Sequence, residues 1–226
     1  QALNNVSFKL QAGETLGITG RTGSGKSTVL QLAMRMMDPQ EGLISLDGTP
    51  LPEWDLDAMK QDLGYVPQDV FLFSDTIGNN IAFGRGEADE HLVLQAAQDA
   101  GVRQDIEGFE HGFDTMLGER GVNLSGGQKQ RISIARALVK SPRILFLDDC
   151  LSAVDTETED AILAAITQQK AACTLMVSHR LASLRNADRI LVMDDGKVVE
   201  SGTPDELLAA GGLYATMFEQ QKAEQD

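Results

Sequence analysis

Short, unbroken apolar segments recur at residues 15–19 (TLGIT), 64–66 (GYV), 144–147 (ILFL), 174–177 (TLMV) and 190–193 (ILVM). Their brevity and lack of polar interruption suit strands buried on both faces, as in a parallel sheet. Helical patterns lie between them and predict helices over 26–37, 89–100, 126–139, 157–169 and 204–210. The first is expected to stop before Pro39, because proline continues a helix only at a cost. The Met and Leu residues along 30–37 read as core packing. Alternation of strand and helix predicts an α/β fold with a mostly parallel sheet. Residues 38–60 break it, punctuated by Gly42, Gly48, Pro50 and Pro52. VSFKL (6–10) and LISLDG (43–48) are expected to join a small antiparallel sheet beside the main one. Residues 76–125 carry no strong strand pattern and read as part of a helical lobe, over about 76–140, inserted in the sheet's connectivity. No internal repeat or low-complexity segment appears.

A chain of 226 residues accommodates one sizeable domain and is too short for two full ones. Its 19 Lys and Arg against 34 Asp and Glu leave a formal charge of −15. That argues against a sequence-independent grip on nucleic acid or anionic lipid. Any polyanion must be held by a local device that beats the overall repulsion. Two cysteines, Cys150 and Cys173, build no disulfide framework and fit a reducing compartment. No apolar run approaches the roughly 18 residues of a membrane span. The sequence begins at Gln1 without a signal-peptide pattern and reads as a piece of a longer chain.

Residues 20–27 read GRTGSGKS, a G-x-x-x-x-G-K-[ST] pattern directly after a predicted strand and before a predicted helix. Gly20, Gly23 and Gly25 let the backbone curl so that successive N–H groups point at one anion. The following helix adds its dipole and free N–H groups. Lys26 is suited to neutralise β- and γ-phosphate charge, and the Ser27 hydroxyl to ligate Mg2+. Arg21, Thr22, Ser24 and Thr28 complete the expected ATP-binding loop. RILFLDD (143–149) is an apolar strand ending in two carboxylates. Alone, these suit a helix cap or a solvated turn. Beside a phosphate loop, Asp148 suits the Mg2+ shell and Asp149 a general base toward the attacking water.

Further elements carry a family resemblance. LSGGQ stands at 124–128 before the helical run QKQRISIARAL, Gln68 sits in VPQDV, SAVD occupies 152–155, and His179 follows TLMVS. With the cradle 20–28 and the acidic strand, these six motifs occur in the order of the nucleotide-binding domain of ATP-binding cassette (ABC) proteins, which the whole chain resembles. The resemblance implies a P-loop NTPase core that binds ATP and Mg2+ and hydrolyses ATP. It implies that Gln68 senses Mg2+ and the attacking water, that His179 contacts the γ-phosphate, and that Asp155 reaches across a dimer. Ser125, Gly126, Gly127 and Gln128 would face a γ-phosphate held by a second ATPase domain. Without the resemblance, the same residues read as an ordinary capped helix, a strand-end histidine and a surface loop. His91 and His111 match nothing and read as surface residues.

VFLFSDTIGNNIAFG (70–84) and GERG (118–121) resemble the exporter version of the loops that touch the cytoplasmic ends of transmembrane helices. The implied protein is an ABC exporter at the cytoplasmic face of a membrane, a bacterial inner membrane in the simplest case, with its transmembrane domain upstream of Gln1. Two departures stand out. The aromatic on which the family stacks adenine would lie upstream of VSFKL, and Phe8, alternating with Val6, reads as core. The family's usual catalytic Glu is Asp149 here, one methylene shorter. A shortened base beside an intact LSGGQ resembles the degenerate half of a heterodimeric exporter. A slow homodimer, an engineered change, a mainly regulatory ATP-binding half and a soluble non-transport ABC ATPase are the alternatives.

Overall fold

The computed structural model describes residues 2–86, 89–118, 123–168 and 173–224. Along the chain run β1 (Thr15–Gly20), α1 (Lys26–Ala33), β2 (Ser45–Leu46), β3 (Thr49–Pro50), α2 (Leu56–Asp62) and β4 (Leu63–Val66). Then come α3 (Ile77–Ala82), α4 (Glu90–Asp99), α5 (Arg103–Glu107), α6 (Gly126–Leu138), β5 (Ile144–Asp148) and α7 (Thr156–Gln168). The chain continues with β6 (Cys173–Val177), β7 (Arg189–Asp194), β8 (Lys197–Gly202), α8 (Pro204–Ala210) and α9 (Leu213–Ala223). The main sheet has six strands in the order β4-β5-β6-β1-β7-β8. Its centre is parallel: β1 pairs with β6 through Ile18 and Val177, and with β7 through Ile18 and Leu191. β8 closes the edge antiparallel to β7. The five apolar runs are therefore strands, as the pattern predicts. β1, β6 and β7 are almost wholly buried, which is why they lack polar alternation.

The chain divides into two compact units. The first comprises Gln1–Leu63, Phe146–Asp149 and Cys173–Asp226; Leu16, Ile18, Leu30, Ile190 and Val192 are among its buried residues. The second comprises Gly64–Leu145 and Cys150–Ala172; it holds α3 to α7, with Ile77, Ile81, Ile106, Ile132 and Ile162 fully buried.

The small antiparallel sheet exists, but its strands differ from the expectation. Ser45–Leu46 turns back on Thr49–Pro50, and residues 6–10 form no strand. Asp47 and Gly48 have φ of 50° and 80°, the positive values a two-residue type I′ hairpin needs. The Asp-Gly pair thus closes LISLDG locally. The Lys9 carbonyl accepts instead from the Arg189 guanidinium, and Phe8 stays 37% exposed rather than entering the core.

Helix α1 also ends at Ala33, well before Pro39. Arg35 takes a left-handed φ of 53°, and the Arg35 and Met36 N–H groups donate to the Leu32 and Gln31 carbonyls. This is a Schellman termination with arginine where glycine is usual. The Arg35 guanidinium donates to the Trp54 carbonyl at 3.0 Å, which offsets the strain. Because the helix stops there, Met36 and Met37 are exposed, not core. Helices α2, α3, α5 and α9 and strand β8 were not legible from the sequence pattern. Most are short, and α9 buries only Tyr214, so its apolar periodicity is faint.

Candidate active site

In the first unit, β1 leads into the cradle. Gly20, at φ 139°, lies against the Met193 carbonyl oxygen of β7 so closely that any Cβ would clash. Gly25, at φ 95°, precedes α1 without a side-chain cap. Asp55, Thr76, Asp89, Ser125 and Thr203, by contrast, cap α2, α3, α4, α6 and α8. The first-turn N–H groups of α1 therefore receive no side-chain acceptor from the cap position. Lys26 is 5% exposed, and its ammonium donates to the Gly20 carbonyl at 2.9 Å and the Arg21 carbonyl at 2.8 Å. Burial pushes its pKa down, and the charges of Asp149 and Asp148 pull it back. Both of its bonds are to neutral carbonyls, so an anion at the loop would complete its electrostatics. The Ser24 hydroxyl is buried without a protein partner. Arg21, Thr22 and Gly23 are exposed and Thr28 is half-buried. The Arg21 guanidinium lies 3.9 Å from Asp194, a surface pair that contributes about 0–1 kcal/mol.

The acidic strand end meets this loop. The Ser27 hydroxyl donates to Asp148 Oδ1 at 3.2 Å. Asp148 and Asp149 are 7% and 8% exposed. Burial raises the Asp148 pKa; the Ser27 hydrogen bond opposes it, the neighbouring Asp149 charge reinforces it, and His179 and Lys26 oppose it. Asp149 takes a left-handed φ of 45° and donates its N–H to the Val177 carbonyl at 2.9 Å. Its Oδ1 accepts the His179 backbone N–H at 3.1 Å. Lys26, Ser27, Asp148, Asp149 and His179 are thus assembled at the ends of β1, β5 and β6. A buried cation, an uncapped helix start and an orphaned hydroxyl fit a phosphate chain. The hydroxyl and carboxylate oxygens of Ser27 and Asp148 fit a hard divalent cation such as Mg2+.

The second unit carries the other candidates. Gln68 is exposed just after β4. Ser125 and Gln128 form a capping box at the start of α6: the Ser125 hydroxyl accepts the Gln128 N–H at 3.2 Å, and Gln128 Oε1 accepts the Ser125 N–H at 3.1 Å. Gly126 is exposed, and a Cβ on Gly127 would stand 2.8 Å from the Ala153 carbonyl oxygen. Asp155 is exposed; its Oδ1 accepts the Thr158 N–H at 2.9 Å, and these bonds lower its pKa. His91 and His111 are exposed. Of the GERG segment, Gly118 is described, and Glu119, Arg120 and Gly121 lie outside the described residues.

Supporting residues escaped the sequence reading. Asp105 on α5 accepts from Gln128 Nε2 at 3.0 Å and from Arg131 at 2.9 Å, which orients the capping glutamine. Gln130, 8% exposed, accepts the Ala153 N–H at 3.1 Å. In the 70–84 loop, Asn80 is buried and exchanges hydrogen bonds with the Phe73 backbone. Arg136 donates to the Asn80 and Phe71 carbonyls, each at 2.8 Å. Phe71, Phe73 and Phe83 remain exposed, with the Phe73 and Phe83 rings 4.5 Å apart. A helix-borne Gln or Arg carries no positional signal until the fold supplies its partner.

Known proteins resemble this chain over most of its length. The ABC transporter family model matches residues 3–152. Over 221 residues the chain is 47% identical to a probable multidrug resistance ABC transporter ATP-binding/permease protein of Bacillus subtilis, covering 97% of this chain and 38% of that protein. Over 218 residues it is 44% identical to an ATP-dependent lipid A-core flippase of Alcanivorax borkumensis, covering 96% and 38%. A solved structure, that of a bacterial Atm1-family ABC exporter with ATP bound, superposes with a TM-score of 0.94 at 43% identity, over 97% of this chain and 39% of that one. The chain thus spans about two fifths of the length of these relatives. A phosphate cradle joined to an acidic strand end, in a fold that matches this closely, places the chain in the ABC transporter family.

Proposed function

We propose that this chain is the ATPase domain of an ABC exporter, binding Mg-ATP in the 20–28 cradle and hydrolysing it to drive transport. The observation that carries the reading is the pairing of Ser27 with Asp148 at 3.2 Å beside the buried Lys26. Lys26 and the N–H groups of α1 bind the phosphates. Ser27 and Asp148 would hold Mg2+, which supplies charge neutralisation when bound. Asp149 accepts the proton of the attacking water as its oxygen bonds the γ-phosphorus and the bond to the β-phosphate oxygen breaks. His179 orients the γ-phosphate. The site is completed by residues equivalent to Ser125, Gly126, Gly127, Gln128 and Asp155 on a second ATPase domain. Calorimetry tests the cradle: Lys26→Ala abolishes Mg-ATP binding, and equal affinity of variant and parent overturns the assignment.

The exposed Phe71, Phe73 and Phe83 support the loop 70–84 as the surface that meets cytoplasmic ends of transmembrane helices. The domain then works at the cytoplasmic face of a membrane. Among the described residues, no helix is long and apolar enough to cross one.

A finer reading follows from Asp149 combined with an intact LSGGQ: the partner ATPase domain is a different chain. ATP in this chain's cradle turns over slowly, while Ser125 and Gly127 complete a competent site on the partner.

A further inference from the structure

We infer that Gln221, on helix α9, is a positioning residue that holds the His179 loop for hydrolysis, an inference that rests on the ATPase reading above. Gln221 Nε2 donates to the His179 carbonyl at 2.6 Å, and its Oε1 accepts the Leu181 N–H at 2.9 Å. On its other side, the His179 N–H is held by Asp149 at 3.1 Å. The main chain of the histidine is therefore gripped from both ends, by the carboxylate that follows β5 and by an amide 42 residues further along. Inside the loop, the Ser178 hydroxyl accepts the Arg180 N–H at 3.0 Å, which sets its local turn but not its place. A primary amide is suited to this task because it donates and accepts at once. A carboxylate at the same place accepts from Leu181 but repels the His179 carbonyl.

Helix α9 contributes little core, since Tyr214 is its one buried residue among those described. Its start is anchored by Glu200 of β8, which accepts the Leu213 and Tyr214 N–H groups at 2.5 and 3.0 Å. One end of α9 is thus tied to the sheet edge and the other to the histidine loop. Displacement of a reacting group by about 1 Å costs up to roughly 100-fold in rate, so a brace on this loop acts on turnover more than on binding.

The test uses the full-length protein with Gln221→Ala, Gln221→Glu and His179→Ala, singly and with Gln221→Ala combined with His179→Ala. Gln221→Ala and Gln221→Glu lower the rate of hydrolysis of ATP bound in this chain's own cradle, read in single turnover, by about tenfold while ATP affinity there stays within about twofold. Gln221→Ala has no further effect once His179 is Ala. Amide exchange at Leu181 quickens by about tenfold in Gln221→Ala, with the N–H groups of Leu213 and Tyr214 unchanged. An unaltered single-turnover rate at this cradle, or the same fractional loss with and without His179, overturns the positioning role. An unaltered Leu181 exchange rate overturns the brace itself. Absence of turnover in the parent protein overturns the ATPase reading, and with it the role in hydrolysis given to Gln221.

Discussion

Asp149 Oδ1 accepts the backbone N–H of His179 at 3.1 Å. The bond joins the residue after β5 to the second residue after β6. The carboxylate proposed to take a proton from water is also a structural tie for the loop that carries His179. Substitutions at Asp149 therefore combine two effects, and the choice of replacement separates them.

Asp149→Asn keeps an acceptor oxygen for His179 and removes the proton acceptor; Asp149→Ala removes both. If this chain is the slow half of a heterodimer, Asp149→Asn changes steady-state hydrolysis of the full transporter by less than about twofold, far below the 10²–10⁴ that a positioned base contributes. Asp149→Glu raises turnover at this site. A loss with Asp149→Asn as deep as that caused by a LSGGQ substitution supports a slow symmetric homodimer instead.

Gly127→Ala brings a methyl group to 2.8 Å from the Ala153 carbonyl oxygen, so backbone must give way. The expected cost is about 1–3 kcal/mol, read as a fall in Tm. The start of α6 shifts with it, and most steady-state ATP hydrolysis of the transporter disappears while ATP affinity at this chain's own cradle persists.

Asp148→Asn removes one of two adjacent buried carboxylates. Folding raises the Asp148 pKa, so the ionised form costs stability. The cost is full above the folded pKa and vanishes below the unfolded value. Without nucleotide, Asp148→Asn is therefore more stable than the parent near neutral pH, read as a higher Tm. Thermal melts with and without Mg-ATP check this. The variant starts higher and loses the Mg2+-dependent rise.

Arg136→Lys replaces a planar fork that donates to the Asn80 carbonyl, Asn80 Oδ1 and the Phe71 carbonyl. A lysine ammonium cannot span all three acceptors. The expected loss is about 1–3 kcal/mol, and limited proteolysis opens the 70–84 loop first.

Several features were settled by residues adjacent in sequence. The runs of β1, β5, β6 and β7 are legible as strands because burial on both faces excludes polar alternation. The GRTGSGKS turn is legible because its glycines, lysine and serine act within one strand-to-helix junction. The Asp-Gly hairpin at 47–48 is equally local, since both of its turn residues take the positive φ that Asp and Gly tolerate. Other features needed the tertiary structure. Asp148 reaches Ser27 across 121 positions, and His179 reaches Asp149 across 30. Gln221 holds the histidine loop across 42, and Asp105 orients Gln128 across 23. The α1 terminus was decided by Arg35 finding the Trp54 carbonyl. Such side chains have no preferred meaning in sequence, because a hydrogen bond's partner is chosen by which strand ends and helix faces the sheet order brings within about 3 Å.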